Sequence, residues 1–298
     1  MPGPNPAPNP APNAGPDAGS SSAEVRRGVA VVLGSALDGR IPRDLGMRPR
    51  TVETPFGPQE LLEGTTEAGL PAHVIFRHGL PHVRLPHQVN FRAQAWALRQ
   101  VGCGALVLNS SVGVLVDGVP LFTPLLATDL LMPENRLPDG SVCTLFTDEA
   151  VEADPEVRAL QGHLVLRDGI FSGALAAQLR GLAPIPRAPD PLVFVYAPGP
   201  RTKTPAENRF WAAAGGQVNS MSVGPEAVLA AEAGIPCAAL VVGHKRSGGT
   251  GSAPGHEALA RSLDEARDAT ESILLEFLRK GSPVTSGNLV YRFDSRPG

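Results

Sequence analysis

Short aliphatic runs that alternate with segments of helical spacing are the feature that most constrains the fold of this chain. Runs such as VAVVL at 29–33 are typical of strands that are buried on both faces. Their alternation with helices predicts a mostly parallel or mixed sheet covered on both sides. The predicted strands occupy residues 29–33, 72–76, 105–108, 125–131, 192–197, 217–221 and 236–242, and the predicted helices occupy 90–101, 205–214, 226–233 and 256–280.

Length and composition bound the number of domains. The chain has 298 residues, of which 42% are hydrophobic and only 5% aromatic, so we expect a mainly aliphatic core in one large domain or two small ones. Residues 1–24 form a Pro/Ala/Asn/Gly-rich tract with almost no apolar bulk, which predicts a disordered tail. A second tail is expected over residues 282–298.

Charge and cysteine usage argue against several classes of function. The formal net charge of −3 provides no basic surface for nucleic acid, and no apolar run approaches the ~20 residues that a membrane-spanning helix needs. The three cysteines, Cys103, Cys143 and Cys237, are widely spaced and lie in or near apolar segments. We therefore expect buried, reduced thiols in a cytoplasmic protein, and neither a disulfide framework nor a zinc site.

Polar side chains follow several predicted strands at the point where each strand ends. Ser35 follows the first strand, Arg77 and His78 follow the second, and Ser110 and Ser111 follow the third. Ligands of α/β proteins bind beyond the carboxyl ends of such strands, and hydroxyls, backbone N–H groups and a guanidinium together suit a phosphate. A solvated loop is the alternative for any one segment. The sequence has no Walker-type or GxGxxG loop, which argues against a nucleotide phosphate held by such a loop.

Several motifs occur in a fixed order and together indicate one family. They are Thr54-Pro55-Phe56-Gly57, Arg77-His78-Gly79 with His82, Pro86 with Val89-Asn90-Phe91, Trp96-Ala97-Leu98, Gly199-Pro200-Arg201 with Ala206-Glu207, and Met221-Ser222 with Pro225-Glu226. Through them the chain resembles the trimeric nucleoside phosphorylases, which include purine nucleoside phosphorylase and methylthioadenosine phosphorylase. The resemblance runs from about residue 29 to about residue 277, and over 52–115 it leans toward methylthioadenosine phosphorylase.

The resemblance implies a fold and a reaction. The fold would be a single α/β domain over residues 25–281, with a mixed, partly barrel-like sheet flanked by helices, assembled as a homotrimer in the cytoplasm. The reaction would be the phosphate-dependent cleavage of a purine-type nucleoside, inosine/guanosine-like or 5′-methylthioadenosine-like, to the free base and a pentose 1-phosphate. Such a pentosyltransferase uses inorganic phosphate as co-substrate, and no metal or organic cofactor is implied.

The resemblance also implies roles for individual residues. From its position alone, Glu226 at the start of a predicted helix is expected to interact with the helix dipole, and the resemblance implies no direct chemical role for it. The residues that would bind phosphate and serve catalysis are Ser35, Arg77, His78, Ser111 and Ser222, with Ser110 as a further phosphate contact, and the sugar-binding candidates are Met221, His82 and His256.

The base-binding side departs from the family pattern. Thr202 stands where relatives have an aromatic residue, Lys203 where they have Glu or Ser, and His244-Lys245 where they have Thr-Asn or Thr-Asp. These four residues are the candidates for base binding. Three interpretations stay open: a phosphorylase with an altered base preference, a non-catalytic homologue that binds a nucleoside or phosphate, and lysines that are merely solvated in loops.

Overall fold

The computed structural model describes residues 27–34, 37, 45–247 and 256–292, with side chains described from residue 262 onward in the last range. The predictions for the tract 1–24, for Ser35 and for the side chain of His256 therefore lie outside the described residues. The strands are β1 (Gly28–Leu33), β2 (Arg48–Val52), β3 (Gln59–Thr65), β4 (Pro71–Phe76), β5 (Cys103–Val114), β6 (Pro124–Leu126), β7 (Asp129–Leu131), β8 (His163–Val165), β9 (Val193–Tyr196), β10 (Val218–Ser220), β11 (Cys237–Arg246) and β12 (Leu289–Tyr291).

Helices connect most of these strands. A 3-10 turn at Pro86–Gln88 precedes the first of them. The helices are α1 (Phe91–Gln100), α2 (Asp148–Ala153), α3 (Pro155–Leu160), α4 (Gly173–Leu182), α5 (Pro205–Ala213), α6 (Gly224–Glu232) and α7 (His256–Lys280).

One large mixed sheet organises the chain, which confirms the predicted α/β fold. Its strand order is β2-β3-β4-β1-β5-β10-β9-β7, and β11 joins it by pairing with β5 and with β6. The centre is parallel, since β1 pairs in parallel with both β4 and β5, whereas β2 and β3 extend the edge as antiparallel strands. Every residue of β1 is buried, as expected for a strand covered on both faces.

Strand β5 is the branch point of the sheet. Its first half pairs with β1, and further along it pairs with β10 at Val114 and Gly113 and with β11 over most of its length. The strand predicted over 105–108 was therefore too short. Asn109, Ser110 and Ser111 continue it because their backbones pair with Leu240, Val241 and Val242 of β11, a pairing that the polar side chains conceal in the sequence.

Two hydrophobic layers cover the sheet. On one face Trp96 and Phe91 of α1 pack in the larger cluster together with α6. On the other face Leu274 and Phe277 of α7 pack against Val31 of β1 and its neighbours. The core is mainly aliphatic, as expected, and the three cysteines are buried and unpaired in it. No helix in the described part of the chain is long and apolar enough to cross a membrane.

Some predicted elements differ from the observed ones. The single strand predicted over 125–131 is two short strands, because β6 pairs with β11 and β7 pairs with β9. Strands β2 and β3 were missed, since β2 is exposed at four of its five positions and carries little apolar signal. Part of the predicted tail 282–298 packs on the domain: Val284 contacts the second layer, and β12 pairs with β8.

Candidate functional site

The main candidate site is a cavity of about 520 Å³ at the carboxyl edge of the sheet, near the branch at β5. Its walls come from the ends of β1, β4, β5, β10 and β11 and from the loop before α5. The cavity brings together most of the residues that the sequence singled out. Those among its lining are Arg77, His78, Ser110, Ser111, Thr202, Lys203, Met221, Ser222, His244 and Lys245.

Three predicted site residues are not placed in the lining. Ser35 lies outside the described residues, although its neighbour Gly34 lines the cavity. The side chain of His256 is also outside the described part. His82 is exposed and absent from the described lining; its ring instead stacks on His78, with centroids 4.5 Å apart and an interplanar angle of 10°. In this chain His82 therefore supports His78 from outside the cavity.

Arg77 is the most constrained side chain of the cavity. It follows directly after β4, and its side chain is only 1% exposed. Its Nε and Nη2 each donate to a carboxylate oxygen of Glu226 at 2.7 Å, and its Nη1 donates to the carbonyl oxygen of Asn109 at 2.9 Å. Since a guanidinium carries five N–H donors, two of them are left for a ligand in the cavity.

Glu226 holds this arginine from the first turn of α6. Besides Arg77, its carboxylate accepts from Gln94 Nε2 at 2.9 Å and from the backbone N–H of Val223 at 3.0 Å. The side chain is 1% exposed, so the pair is fully desolvated. The expected helix-dipole role was incomplete, because the main partner of Glu226 lies 149 positions away in the sequence.

A cluster of serine hydroxyls lies beside Arg77 in the lining. Ser110 Oγ is 3.1 Å from Ser220 Oγ and 3.3 Å from Ser222 Oγ, and Ser111 also lines the cavity. Ser110 and Ser222 are both buried. Hydroxyls can donate or accept, so this cluster can rotate its protons toward an anion.

Gly34 allows the backbone to approach the guanidinium closely. A β-carbon at this position would lie 3.2 Å from Arg77 Nη1 and 3.3 Å from the carbonyl oxygen of Asn109. The glycine after β1 thus keeps the space around the arginine open. We refer to the region formed by Gly34, Arg77, His78 and the serines as the anion end of the cavity.

His78 is held in one orientation at this end. Its Nδ1 lies 2.9 Å from the carbonyl oxygen of Arg84, and a carbonyl can only accept, so Nδ1 carries the proton. Burial, and then the nearby charge of Arg77, lower the pKa of His78 below its usual value. The ring is therefore oriented by the loop that follows it.

The opposite end of the cavity is cationic. Lys203, Lys245 and Arg246 line it, together with Thr202 and His244. Burial lowers the pKa of Lys203 to about 8, with smaller contributions from Arg201 and Lys245 that act in the same direction and one from Glu207 that opposes them. Burial and the charge of Lys245 also lower the pKa of His244.

An irregularity in β11 brings two adjacent residues into the lining. Gly243 pairs with Val112 and Lys245 pairs with Gly113, which leaves His244 as an extra residue in the ladder. Successive side chains of a regular strand point to opposite faces, whereas a bulge changes the direction of one of them. This accounts for the presence of both His244 and Lys245 in the cavity wall.

Two buried asparagines that the sequence did not single out also line this end. Asn219 Nδ2 donates to Asn208 Oδ1 at 3.1 Å, and Asn208 Nδ2 donates to the carbonyl oxygen of Ser247 at 2.7 Å. Asn219 comes from β10 and Asn208 from α5, so this chain of amides joins three separate segments. In the sequence, each is only an asparagine within a predicted helix or strand, and such a residue by itself does not indicate a site.

Met221 also lines the cavity. A β-carbon at position 199 would come within 2.5 Å of Met221 Sδ, so Gly199 leaves the space that this side chain occupies. The cavity thus combines hydroxyls and a guanidinium at its anion end with a thioether and with the ammonium groups of its cationic end. No cluster of metal-ligating side chains is found in the described ranges.

Comparisons with known proteins agree on one family. The family model described as Phosphorylase superfamily matches residues 29–279. A probable S-methyl-5′-thioinosine phosphorylase of Methanopyrus kandleri is 29% identical over 82% of this chain and 86% of that protein. The S-methyl-5′-thioadenosine phosphorylase of Drosophila melanogaster is 31% identical over 70% of this chain and 69% of its own length. The 6-oxopurine nucleoside phosphorylase of Pyrococcus furiosus is 30% identical over 62% and 67%.

Solved structures agree on the fold. A methylthioadenosine phosphorylase from Schistosoma mansoni in complex with tubercidin superposes with a TM-score of 0.69 over 85% of this chain and 90% of that one, at 23% identity. A methylthioadenosine phosphorylase from an antarctic soil metagenomic library gives the same TM-score over 89% and 94%, at 20% identity.

Proposed function

The chain belongs to the phosphorylase superfamily and is a pentosyltransferase of the nucleoside phosphorylase type, and we propose that it cleaves a purine-type nucleoside with inorganic phosphate. The products would be the free base and a pentose 1-phosphate. The observation that carries this proposal is the buried Arg77–Glu226 pair, which fixes a guanidinium beside three serine hydroxyls at one end of a single cavity. The cavity continues past Met221 to a polar end with room for a base.

Phosphate would bind at the anion end. Arg77 contributes the two N–H groups that Glu226 and Asn109 leave available, and Ser110, Ser111 and Ser222 contribute hydroxyls. Since Arg77 is held by a carboxylate before phosphate arrives, little side-chain freedom remains to be lost on binding. The fold therefore fixes the position of the nucleophile in advance.

The reaction would follow from where the charges lie. A phosphate oxygen forms a bond to C1′ while the bond from C1′ to the base nitrogen breaks, and the electron pair of that bond leaves with the base. The sugar passes through an oxocarbenium-like state that the neighbouring phosphate dianion stabilises, so orientation and exclusion of water supply most of the catalysis. The base then needs a proton or a hydrogen bond at its ring nitrogen.

Assembly and location belong to the same proposal. The family resemblance supports a homotrimer and a cytoplasmic location. The 5′ substituent stays open between a hydroxyl and a methylthio group. Relatives bearing names of both kinds match at 29–31% identity, which is too distant to choose between them.

The proposal is tested by phosphorolysis of a nucleoside panel by the full chain. Inosine, guanosine, xanthosine, adenosine and 5′-methylthioadenosine are incubated with and without phosphate, and free base is measured by chromatography, with arsenate as an alternative nucleophile. We expect base release from at least one nucleoside, only when phosphate or arsenate is present. Failure to release base from any of them, with phosphate still bound in calorimetry, would favour the non-catalytic homologue.

A matched pair of serine variants tests the placement of phosphate. Ser222→Ala removes a buried hydroxyl of the anion end, whereas Ser141→Ala removes a hydroxyl that bonds Asp139 away from the cavity. We expect the first variant to raise KM for phosphate by about 10-fold, the effect of one lost hydrogen bond to a charged group, and the second to leave it unchanged. Equal effects of the two would contradict the placement.

A further inference from the structure

Lysine is rare in this chain, and two of its three lysines line the cavity. The sequence has 26 lysines and arginines, and only three of these are lysines: Lys203, Lys245 and Lys280. Two of the three line the cavity, both at its cationic end. Because the chain elsewhere uses arginine as its surface cation, two lysines at one end of a cavity are not explained by general composition.

Neither lysine of the cationic end forms a salt bridge within the described residues, although Lys203 also lines a neighbouring cavity that contains Glu134 and Glu207. Arg77 is neutralised by Glu226, but no described residue forms a salt bridge with Lys203 or Lys245, and the described lining contains no Asp or Glu. Glu207 is the acidic group that acts on Lys203, and it is already engaged by Arg201, at 2.7 and 2.9 Å, and by the N–H of Thr204.

Simple solvation does not account for Lys203. The side chain is half-buried, and burial lowers the pKa of its ammonium to about 8, so the folded chain holds this charge at a disadvantage. A solvated surface lysine can rotate into water, as exposed Lys280 does while it pairs with Glu276 at 2.7 Å. A half-buried ammonium that faces a cavity is typical of a site that binds an anion or an electron-rich group.

We propose that Lys203 and Lys245 make this end selective for an acidic, oxo-rich purine base, of the 2,6-dioxopurine type, over an aminopurine. This rests on the proposed function, because it assigns the base to the end opposite the phosphate. Two ammonium groups offer donors only, which suits carbonyl oxygens and a deprotonated ring nitrogen. The exocyclic amino group of adenine is itself a donor and would meet these ammonium groups without a described carboxylate to accept from it.

The lysines would act on the leaving base. As the bond between C1′ and the base nitrogen breaks, its electron pair moves into the purine ring and onto the carbonyl oxygens. An ammonium beside those oxygens stabilises the developing anion, and Lys203 can pass a proton to the base and regain one from water. A 2,6-dioxopurine presents carbonyl oxygens to these ammonium groups, whereas an aminopurine presents a donor, so the departing anion of the dioxopurine is stabilised more.

The test compares substrates and lysine variants. Values of kcat/KM are measured for xanthosine, inosine and adenosine with the wild-type chain and with Lys203→Met, Lys245→Met and Lys280→Met. We expect the wild type to prefer xanthosine over adenosine by at least about 100-fold, and each cavity variant to lower that ratio by about 10-fold or more, the effect of one charge-assisted hydrogen bond. Lys280→Met is the control, since it lies on α7 outside the cavity, and it should leave the ratio unchanged.

A pH profile separates a role in binding from a structural role. Lys203 carries its positive charge and a transferable proton only below its pKa of about 8, so kcat/KM should fall above that pH in the wild type. The groups that act on it are Glu207, Arg201 and Lys245. Lys203→Met should lose this limb of the profile and should unfold at the same or a higher temperature, because a half-buried charge has been removed. A less stable variant that keeps the limb would overturn the proposal.

The outcomes distinguish this inference from the proposed function. If the wild type cleaves adenosine or 5′-methylthioadenosine as well as xanthosine, phosphorolysis stands and the lysine selectivity is wrong. If no nucleoside is cleaved, calorimetry of free xanthine and adenine in the presence of phosphate still tests the lysines. Tighter binding of xanthine that Lys203→Met abolishes supports the selectivity, and equal binding of the two bases refutes it.

Discussion

Replacing Glu226 by Gln tests whether the buried carboxylate is what holds Arg77 in place for an anion. The substitution keeps the size of the side chain and removes its charge. The carboxylate accepts four hydrogen bonds, from Arg77 Nε and Nη2, Gln94 Nε2 and the N–H of Val223. Neither orientation of the new amide replaces all of them. If the new NH₂ group points toward Val223, it meets two other donors, the N–H of Val223 and Nη2 of Arg77. If it points toward Gln94, the Gln94 amide can flip to accept from it, but Nε of Arg77 then meets a donor.

The expected loss of stability is large, because Arg77 becomes a buried cation without a counter-charge. Its side chain and that of Glu226 are each only 1% exposed, so water cannot compensate. Breaking a buried ion pair from one side costs about 3–5 kcal/mol. For a chain of this size that corresponds to a decrease in Tm on the order of 10 °C.

Phosphate should recover part of this loss. In the wild type Arg77 is already neutralised, whereas in Glu226→Gln the bound anion becomes its main counter-charge. A ligand that binds only the folded state raises its stability in proportion to its affinity, so added phosphate should raise the Tm of the variant more than that of the wild type. Thermal denaturation at several phosphate concentrations measures this difference, with chloride at equal ionic strength as the reference.

Glu232→Gln on the same helix is the matched control. Glu232 accepts from the N–H of Leu145 and the hydroxyl of Thr144 and has no guanidinium partner. Burial raises its pKa to about 7, so at pH 6 it is mostly protonated and the substitution is nearly neutral. If Glu226→Gln is as stable as this control, or if phosphate stabilises the variant and the wild type equally, Glu226 does not hold Arg77 for an anion.

The remaining predictions concern pH and two close backbone contacts. Because the folded-state pKa of Glu232 is raised, its contribution to stability is lost as pH rises from about 4.5 to about 7. Denaturant unfolding should therefore show that the free energy of unfolding of the wild type falls by about 2 kcal/mol over this range. Glu232→Gln should not show this fall. Gly34→Ala should raise KM for phosphate more than KM for the nucleoside, since its β-carbon crowds Arg77 Nη1 at 3.2 Å. Gly113→Ala should lower stability by about 1–3 kcal/mol and reduce kcat/KM, because its β-carbon would lie 2.8 Å from Asn219 Oδ1; equal Tm values would contradict this.

The anion end could be predicted from the sequence because its residues lie at strand ends. Strong apolar runs place Arg77 and His78 directly after β4, and the motif around them implies a phosphate-binding role by resemblance. Ser110 and Ser111 were found for a partly wrong reason, since they lie within β5 and not after it. They still line the cavity, because β5 continues along the edge of the sheet where β1 and β4 end.

The supports of the site could not be predicted in the same way. Glu226 looks like an ordinary first-turn acid of a helix, and its pairing with Arg77 depends on a tertiary contact across 149 positions. Asn208 and Asn219 bond each other across α5 and β10, and neither has a local pattern that indicates this. The bulge at His244 depends on the register of β11 against β5, which no short window of sequence contains.

Selectivity at the cationic end is a property of the residues together and not of Lys203 alone. Lys245 and Arg201 both act on Lys203, so a carboxylate placed at position 203 would have two cations beside it and would pair with them before it could accept from a base. The anion end differs in this respect, because Arg77 has a dedicated carboxylate that takes up two of its donors. The same cavity thus gives Arg77 its own counter-charge, whereas no described carboxylate forms a salt bridge with Lys203 or Lys245, and the proposed base selectivity rests on this difference.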